Sequence, residues 1–222
     1  MRVPEGFRID LARRVQSRLA ARVAEEPLGD FDVVVGLDVA YRGDVGISAA
    51  VAYSVREDKS VGYSCSANMV IFPYVPTLLS FRELMPMVRA LRRLTVRYDL
   101  IMVDGQGVAH PYGLGIAAHL GVVLGAPTIG VAKSRLFGEV VGDRLVDPRN
   151  GKVIGAVVKC RRPLYVSIGN RVTLDDAVRA VKMLCADGGM PLPIQLAHNK
   201  ANELKRSVAA AASFDKWGEA GC

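Results

Sequence analysis

The chain has few cysteines and no pattern among them. Cys65, Cys160, Cys185 and Cys222 show neither the CxxC spacing of a zinc site nor the density of a disulfide scaffold. That predicts reduced thiols and a cytoplasmic protein. The histidines are His110, His119 and His198, and none has HExxH or other zinc spacing. The start, MRVPEGFRIDLARRV, lacks the continuous apolar core of a signal peptide. The longest nearly uncharged stretch, GLGIAAHLGVVLGAPTIGVA, contains His119, Pro127 and many glycines. A buried helix followed by a buried strand accounts for it better than a membrane span. No repeat, low-complexity tract or linker interrupts the 222 residues, so the expectation is one domain over 1–222 with a sizeable core.

What the chain has in excess is positive charge. Its formal net charge is +7 and its sequence pI is about 9.4, a balance that favours a polyanionic partner such as nucleic acid or an anionic membrane. The basic residues are grouped: Arg13, Arg14, Arg18 and Arg22; Arg89, Arg92, Arg93 and Arg97; Lys159, Arg161 and Arg162. Solvated helix faces would produce the same grouping, and the sequence leaves both readings open.

Apolar periodicity predicts an amphipathic helix over 8–24, then three strands near 33–37, 46–54 and 61–71 joined by short turns as an antiparallel meander. Ser80 with Glu83 three residues on has capping-box spacing, and a helix over 81–97 follows. Strand 99–103, helix 113–124 and strand 127–131 alternate as a parallel unit would. Strands near 139–146, 153–159 and 163–168, a helix capped by Thr173, and a last helix over 194–212 complete the reading. This order gives an α/β chain, a mixed central sheet with helices on both faces, and it matches the ribonuclease H-like fold.

Asp38, Glu83 and Asp104 each lie where an apolar segment meets a turn or a helix start. If the first and fourth strands are neighbours, three carboxylates converge at one end of the sheet, where their repulsion is relieved by a divalent cation with a preference for oxygen ligands. Such a site runs in-line phosphodiester displacement. Any one of the acids could equally be a turn former. Lys133, after the strand TIGVA, would emerge at the same end and could hold a phosphate, or simply face solvent. Gly105 and Gly107 in DGQG allow close backbone approach to a ligand. GLGIAA, from Gly113, fits a dinucleotide fingerprint poorly, because DGQGVAHPY separates it from its strand, and close helix packing explains its glycines instead. His110 could orient the DGQG turn, His119 reads as a core residue, and His198 could reach the site as ligand or proton carrier. Tyr74, stiffened between Pro73 and Pro76, could wedge into a base stack or pack in the core.

Together, GLDVAY, PYVPTLLSFREL, VDGQGVAHP and HLGVVLGAPTIGVAKSRL, with LAHNKANEL as a weaker echo, resemble the endonuclease V family, the deoxyinosine 3′ endonucleases. The similarity covers most of the chain. It implies magnesium, with manganese as a substitute, and hydrolysis of the second phosphodiester 3′ to an inosine, leaving 3′-hydroxyl and 5′-phosphate ends in DNA repair. On that resemblance Asp38, Glu83 and Asp104 would bind metal, with His198 completing the site, and Lys133 would contact the phosphate. Tyr74 would be the wedge, and Gly105, Gly107 and Gly115 would line a pocket for the flipped base. The family commonly has glycine after its YVP and histidine in its DGHG turn, where this chain has Thr77 and Gln106. A β-branched residue at the first position could narrow the pocket. Inosine in RNA as substrate, and a basic nucleic-acid-binding protein without catalysis, are the alternatives.

Overall fold

The computed structural model describes residues 5–185 and 189–210. Helix α1 (Ile9–Ala20) leads into a meander of β1 (Val33–Arg42), β2 (Val45–Ser54) and β3 (Lys59–Met69). Helix α2 (Leu79–Arg93), strand β4 (Leu100–Asp104), helix α3 (Ile116–Leu124) and strand β5 (Thr128–Ala132) follow. Two hairpins, β6 (Glu139–Val141) with β7 (Arg144–Val146) and β8 (Val153–Lys159) with β9 (Pro163–Asn170), precede α4 (Leu174–Leu184) and α5 (Leu192–Ala210). All nine described strands form one sheet in the order β3-β2-β1-β4-β5-β9-β8-β7-β6. The β1–β4 and β4–β5 pairs are parallel and the others antiparallel. This is the mixed α/β sheet of the ribonuclease H-like fold.

Side chains alternate across the sheet, so each strand feeds two layers. Val35, Leu37, Ile101 and Val103 pack under Met87 and Leu91 of α2 and Ile116 and Leu120 of α3. Their neighbours Val34, Leu100 and Met102 pack with Ala177 and Val181 of α4 and Ile194 of α5. Farther along β1 and β2, Ala40, Ile47 and Ala49 pack with Ala201 and Leu204 of α5. Both faces are covered. Helix α3 ends where Gly125 turns left-handed at φ 64, and Thr173 caps α4 as its spacing predicts, its hydroxyl accepting from the Asp176 N–H at 3.1 Å.

Several expectations are corrected. Ser80 is no cap: Leu78 precedes α2 without a side-chain cap, and the buried Ser80 hydroxyl lies 3.0 Å from Nδ1 of the buried His119. Partnering an interior histidine outweighs capping there. The single strand expected over 139–146 is a hairpin, turned at Gly142 with φ 63. The reduced thiols are also overturned. Cys160, after β8, and Cys185, after α4, are disulfide-bonded, with Cα atoms 5.8 Å apart, and no described cysteine is free. Spacing could not show this, because the pair is brought together by docking α4 on the β8–β9 hairpin. Cys222 and residues 211–212 of the expected last helix lie outside the described residues.

Gly36 on β1 shows how closely α5 is seated. A Cβ at this position would overlap the Pro193 carbonyl in the first turn of α5, so the sheet must offer bare backbone there. Gly36→Ala is expected to cost about 3 kcal/mol through overpacking, seen as a lower urea midpoint at constant m-value. An unchanged midpoint would show that α5 can shift freely.

Candidate active site

The parallel register of β1 and β4 builds the site. Leu37 pairs with Val103, so Asp38 and Asp104 sit one residue on, where the two strands part, on the face that α5 covers. Asp38 is not at a turn as expected, because β1 runs on to Arg42 against β2. From α5 comes His198, whose Nδ1 lies 2.7 Å from Asp38 Oδ2. Ligand atoms of Asp38, Asp104 and His198 all fall within 4.8 Å of one another. From β5 comes Lys133, with Nζ 2.9 Å from Asp104 Oδ2. The structure thus brings together four of the five residues that sequence reasoning placed at this end.

Glu83 approaches from the opposite face, on the second turn of α2. It lies outside the three-residue cluster, but the charge gathered there reaches it. Burial first, then the Asp38 and Asp104 carboxylates, push its pKa up to about 8. Asp104 is also raised, by burial, with Lys133 opposing. Burial, followed by the Glu83 charge, raises the Tyr41 phenol well above its ordinary range, with the Arg82 charge opposing. Too much negative charge is gathered for the cations beside it. Oxygen-rich donors held apart by their own repulsion suit a hard divalent cation, so this acidic group is a candidate metal site.

Asn202 is a residue that sequence reasoning missed. Its Nδ2 lies 3.2 Å from His198 Nε2 and 3.0 Å from the His198 carbonyl. A carboxylate only accepts, so Nδ1–H of His198 donates to Asp38, while Nε2 accepts from Asn202. In this arrangement His198 acts through Asp38, and coordination by Nε2 requires Asn202 to give way. The i, i+4 spacing in HNKAN was the available signal.

Beside the acids lies a cavity of 420 Å³, whose lining includes Tyr74, Thr77, Glu83, Asp104, Gly105, Gly115 and Lys133. Its size falls within the range of small-ligand pockets, about 300–1,000 Å³. Tyr74 is 54% exposed on the rim, available to a partner rather than packed in the core. His110, buried in the lining, accepts from the Tyr112 N–H at 3.1 Å through Nδ1. Burial lowers its pKa to about 4, with the Arg13 charge adding to the effect. It therefore orients the turn as a neutral ring. Gly107 is corrected: it does not line the cavity, because its N–H is given to Ser167 Oγ at 2.9 Å. A Cβ on Gly107 would strike the Ile168 carbonyl, and one on Gly115 the Gln106 carbonyl. The glycines of this segment pack the turn and α3 onto the sheet. Gln106 donates through Nε2 to the Ser134 carbonyl at 3.0 Å, tying the turn to the loop that carries Lys133.

A ribonuclease H-like sheet with this acid cluster, lysine and cavity defines the class as a nuclease of that fold. The comparisons with known proteins give the particular family. The Endonuclease V family model matches residues 15–199. The Endonuclease V of Thermofilum pendens is 42% identical over 214 residues, 92% of either chain. The crystal structure of Endonuclease V from Streptomyces avermitilis superposes with a TM-score of 0.83 at 35% identity, covering 94% of this chain and 98% of that one. Ciona intestinalis Endonuclease V, solved with a 24mer DNA containing an inosine followed by a ribo-adenosine, has a TM-score of 0.79 at 24% identity over 90% of this chain and 99% of its own, and so shares the fold. The chain belongs to the Endonuclease V family.

The raised pKa of Glu83 gives a pH prediction. Glu83 ionises at about 8 in the fold and near 4.5 without it, so as pH rises the unfolded chain releases its proton first. The metal-free protein then loses stability between about pH 4.5 and 8. Glu83→Gln, which keeps the neutral shape, is expected to melt higher than wild type in EDTA at pH 8, with the gap closing toward pH 5. Magnesium or manganese should raise the wild-type melting temperature and largely spare the variant. Parallel melting curves at all pH values would remove Glu83 from the charged cluster.

Proposed function

We propose that residues 1–222 act as one catalytic domain that hydrolyses the second phosphodiester 3′ to deoxyinosine in DNA, leaving 3′-hydroxyl and 5′-phosphate ends, as a DNA repair enzyme. The observation that carries the reading is the convergence of Asp38, Asp104, His198 and Lys133 at the sheet end, beside a base-sized cavity rimmed by an exposed tyrosine. Family membership supports the nuclease chemistry. The Ciona complex with an inosine-containing strand illustrates the ligand class that this fold accommodates.

Asp38, Glu83 and Asp104 would hold magnesium, or manganese in its place, which supplies a Lewis acid and a water of lowered pKa. Lys133 sits close enough to Asp104 to hold the scissile phosphate against it and offset charge on the phosphoryl oxygens. His198, held by Asp38 and Asn202, stores a proton at Nδ1 beside the reacting group and keeps the Asp38 carboxylate aimed. The cavity admits the extruded base between Gly105, Gly115 and the Tyr74–Thr77 loop, at an unstacking cost that is least for a mispaired base. Tyr74 fills the gap that the base leaves. The net charge of +7 supplies affinity for the strand that is independent of sequence.

Asp38→Ala and Asp104→Ala are expected to lower cleavage of inosine-containing duplex by about a thousandfold or more while strand binding persists. DNA and RNA substrates run side by side, with magnesium and with EDTA, separate the readings. Cleavage of RNA alone makes the enzyme a ribonuclease, and binding without cleavage makes it a binding protein. Tyr74→Ala should weaken inosine-duplex binding and cutting by about 1–3 kcal/mol, the worth of stacking a base on an aromatic ring, whereas Tyr74→Phe should retain most of both. Equal loss in the two variants would point to the hydroxyl instead of the ring.

A further inference from the structure

Thr77 stands at φ 67, in the left-handed region. There an L-residue crowds its Cβ against its own backbone, and a β-branched side chain is worst placed to tolerate it. Such a conformation persists only where the surroundings over-determine it. Here the surroundings are α1, some sixty residues earlier in the chain. Arg13 Nη2 donates to Thr77 Oγ1 at 2.5 Å and to the Pro76 carbonyl at 3.2 Å, and Nη1 donates to the Thr77 carbonyl at 3.2 Å. The fully buried Gln16 adds bonds from Nε2 to the Thr77 carbonyl at 2.9 Å and the Leu114 carbonyl at 3.3 Å, while its Oε1 accepts from Arg13 at 2.8 Å. The Arg13 guanidinium lies 3.9 Å from the centre of the Tyr112 ring. Below, Ala12 packs against Val75 and Leu78.

Tyr74, Thr77 and Leu114 are all cavity-lining residues, so α1 fastens two of its walls together. The Thr77 hydroxyl is engaged by α1 while the residue remains part of the cavity lining. We propose that Arg13 is a positioning residue for base recognition, which holds Thr77 left-handed so that the Tyr74–Thr77 loop stands correctly over the cavity. The proposal rests on reading that cavity as the inosine pocket. A threonine at this position depends on Arg13. A glycine would not, because it adopts positive φ without steric cost and its carbonyl would still be held by Gln16.

That dependence is testable with Arg13→Ala, Thr77→Gly and the double variant. Dissociation constants are measured in EDTA for an inosine-containing duplex and a matched inosine-free one, and the ratio of the two cancels the loss of one positive charge. Arg13→Ala is expected to lose about tenfold of the preference for inosine, the scale of a charge-assisted hydrogen-bond pair. The double variant should match Thr77→Gly alone, so that the loss caused by Arg13→Ala disappears once position 77 is glycine. Full preference in Arg13→Ala overturns the proposal. So does a double variant that recovers melting temperature without recovering preference, since Arg13 would then serve packing only. If wild type shows no preference for inosine, the functional reading fails by itself. The latch is then decided by whether the double variant melts above Arg13→Ala, and no rise sinks it.

Discussion

Parallel pairing of β1 with β4 is the constraint on which the site depends. The register that sets Leu37 against Val103 holds Asp38 and Asp104 side by side one residue on, where β4 ends and β1 continues to Arg42 paired with β2. Two residues of like charge are thereby forced into one corner by the backbone ladder and by the apolar side chains buried on both of its faces. A slip of one residue would turn Asp38 to the α2 and α3 face and leave Asp104 where it is. The hydrophobic alternation that prevents this slip also aims the chemistry.

The helices then complete the corner from opposite sides. Helix α5 brings His198 onto the face shared by the two aspartates, and α2 brings Glu83 from the other. The surrounding structure accepts a local cost at this point: a carboxyl protonated until about pH 8, a phenol raised by burial beside it, and a second buried carboxyl, Asp104, raised despite its lysine. These costs cluster at the sheet end, where binding energy from a cation can offset them.

Much of this was legible along the chain. VVVGLDVAY and LIMVDGQG show their strands by β-branched runs and their acids by position, and the meander is announced by short polar turns. Local signals also identified Thr173 as a cap and His119 as an interior residue. What stayed hidden depends on contacts between distant segments. Ser80 has the spacing of a cap, yet its hydroxyl was taken by a histidine on another helix. Gly107 has the look of a pocket glycine, yet it gives its N–H to Ser167. The Cys160–Cys185 bond and the Arg13–Thr77 contact join elements whose docking no periodicity encodes. Cationic α1 reads as a solvated or strand-binding face, and only the fold shows that Arg13 turns inward.

The seating of α5 against bare backbone at Gly36 has a consequence for biosynthesis. His198 is 160 residues beyond its partner Asp38, and at about 5–20 residues per second this separates their appearance by about ten to thirty seconds. Throughout that interval the nascent chain can hold its paired strands and two aspartates, but the corner has no histidine and no helix across β1. A nuclease assembled in this order stays incomplete on the ribosome, among nucleic acids at high concentration, until its last described helix closes over the sheet.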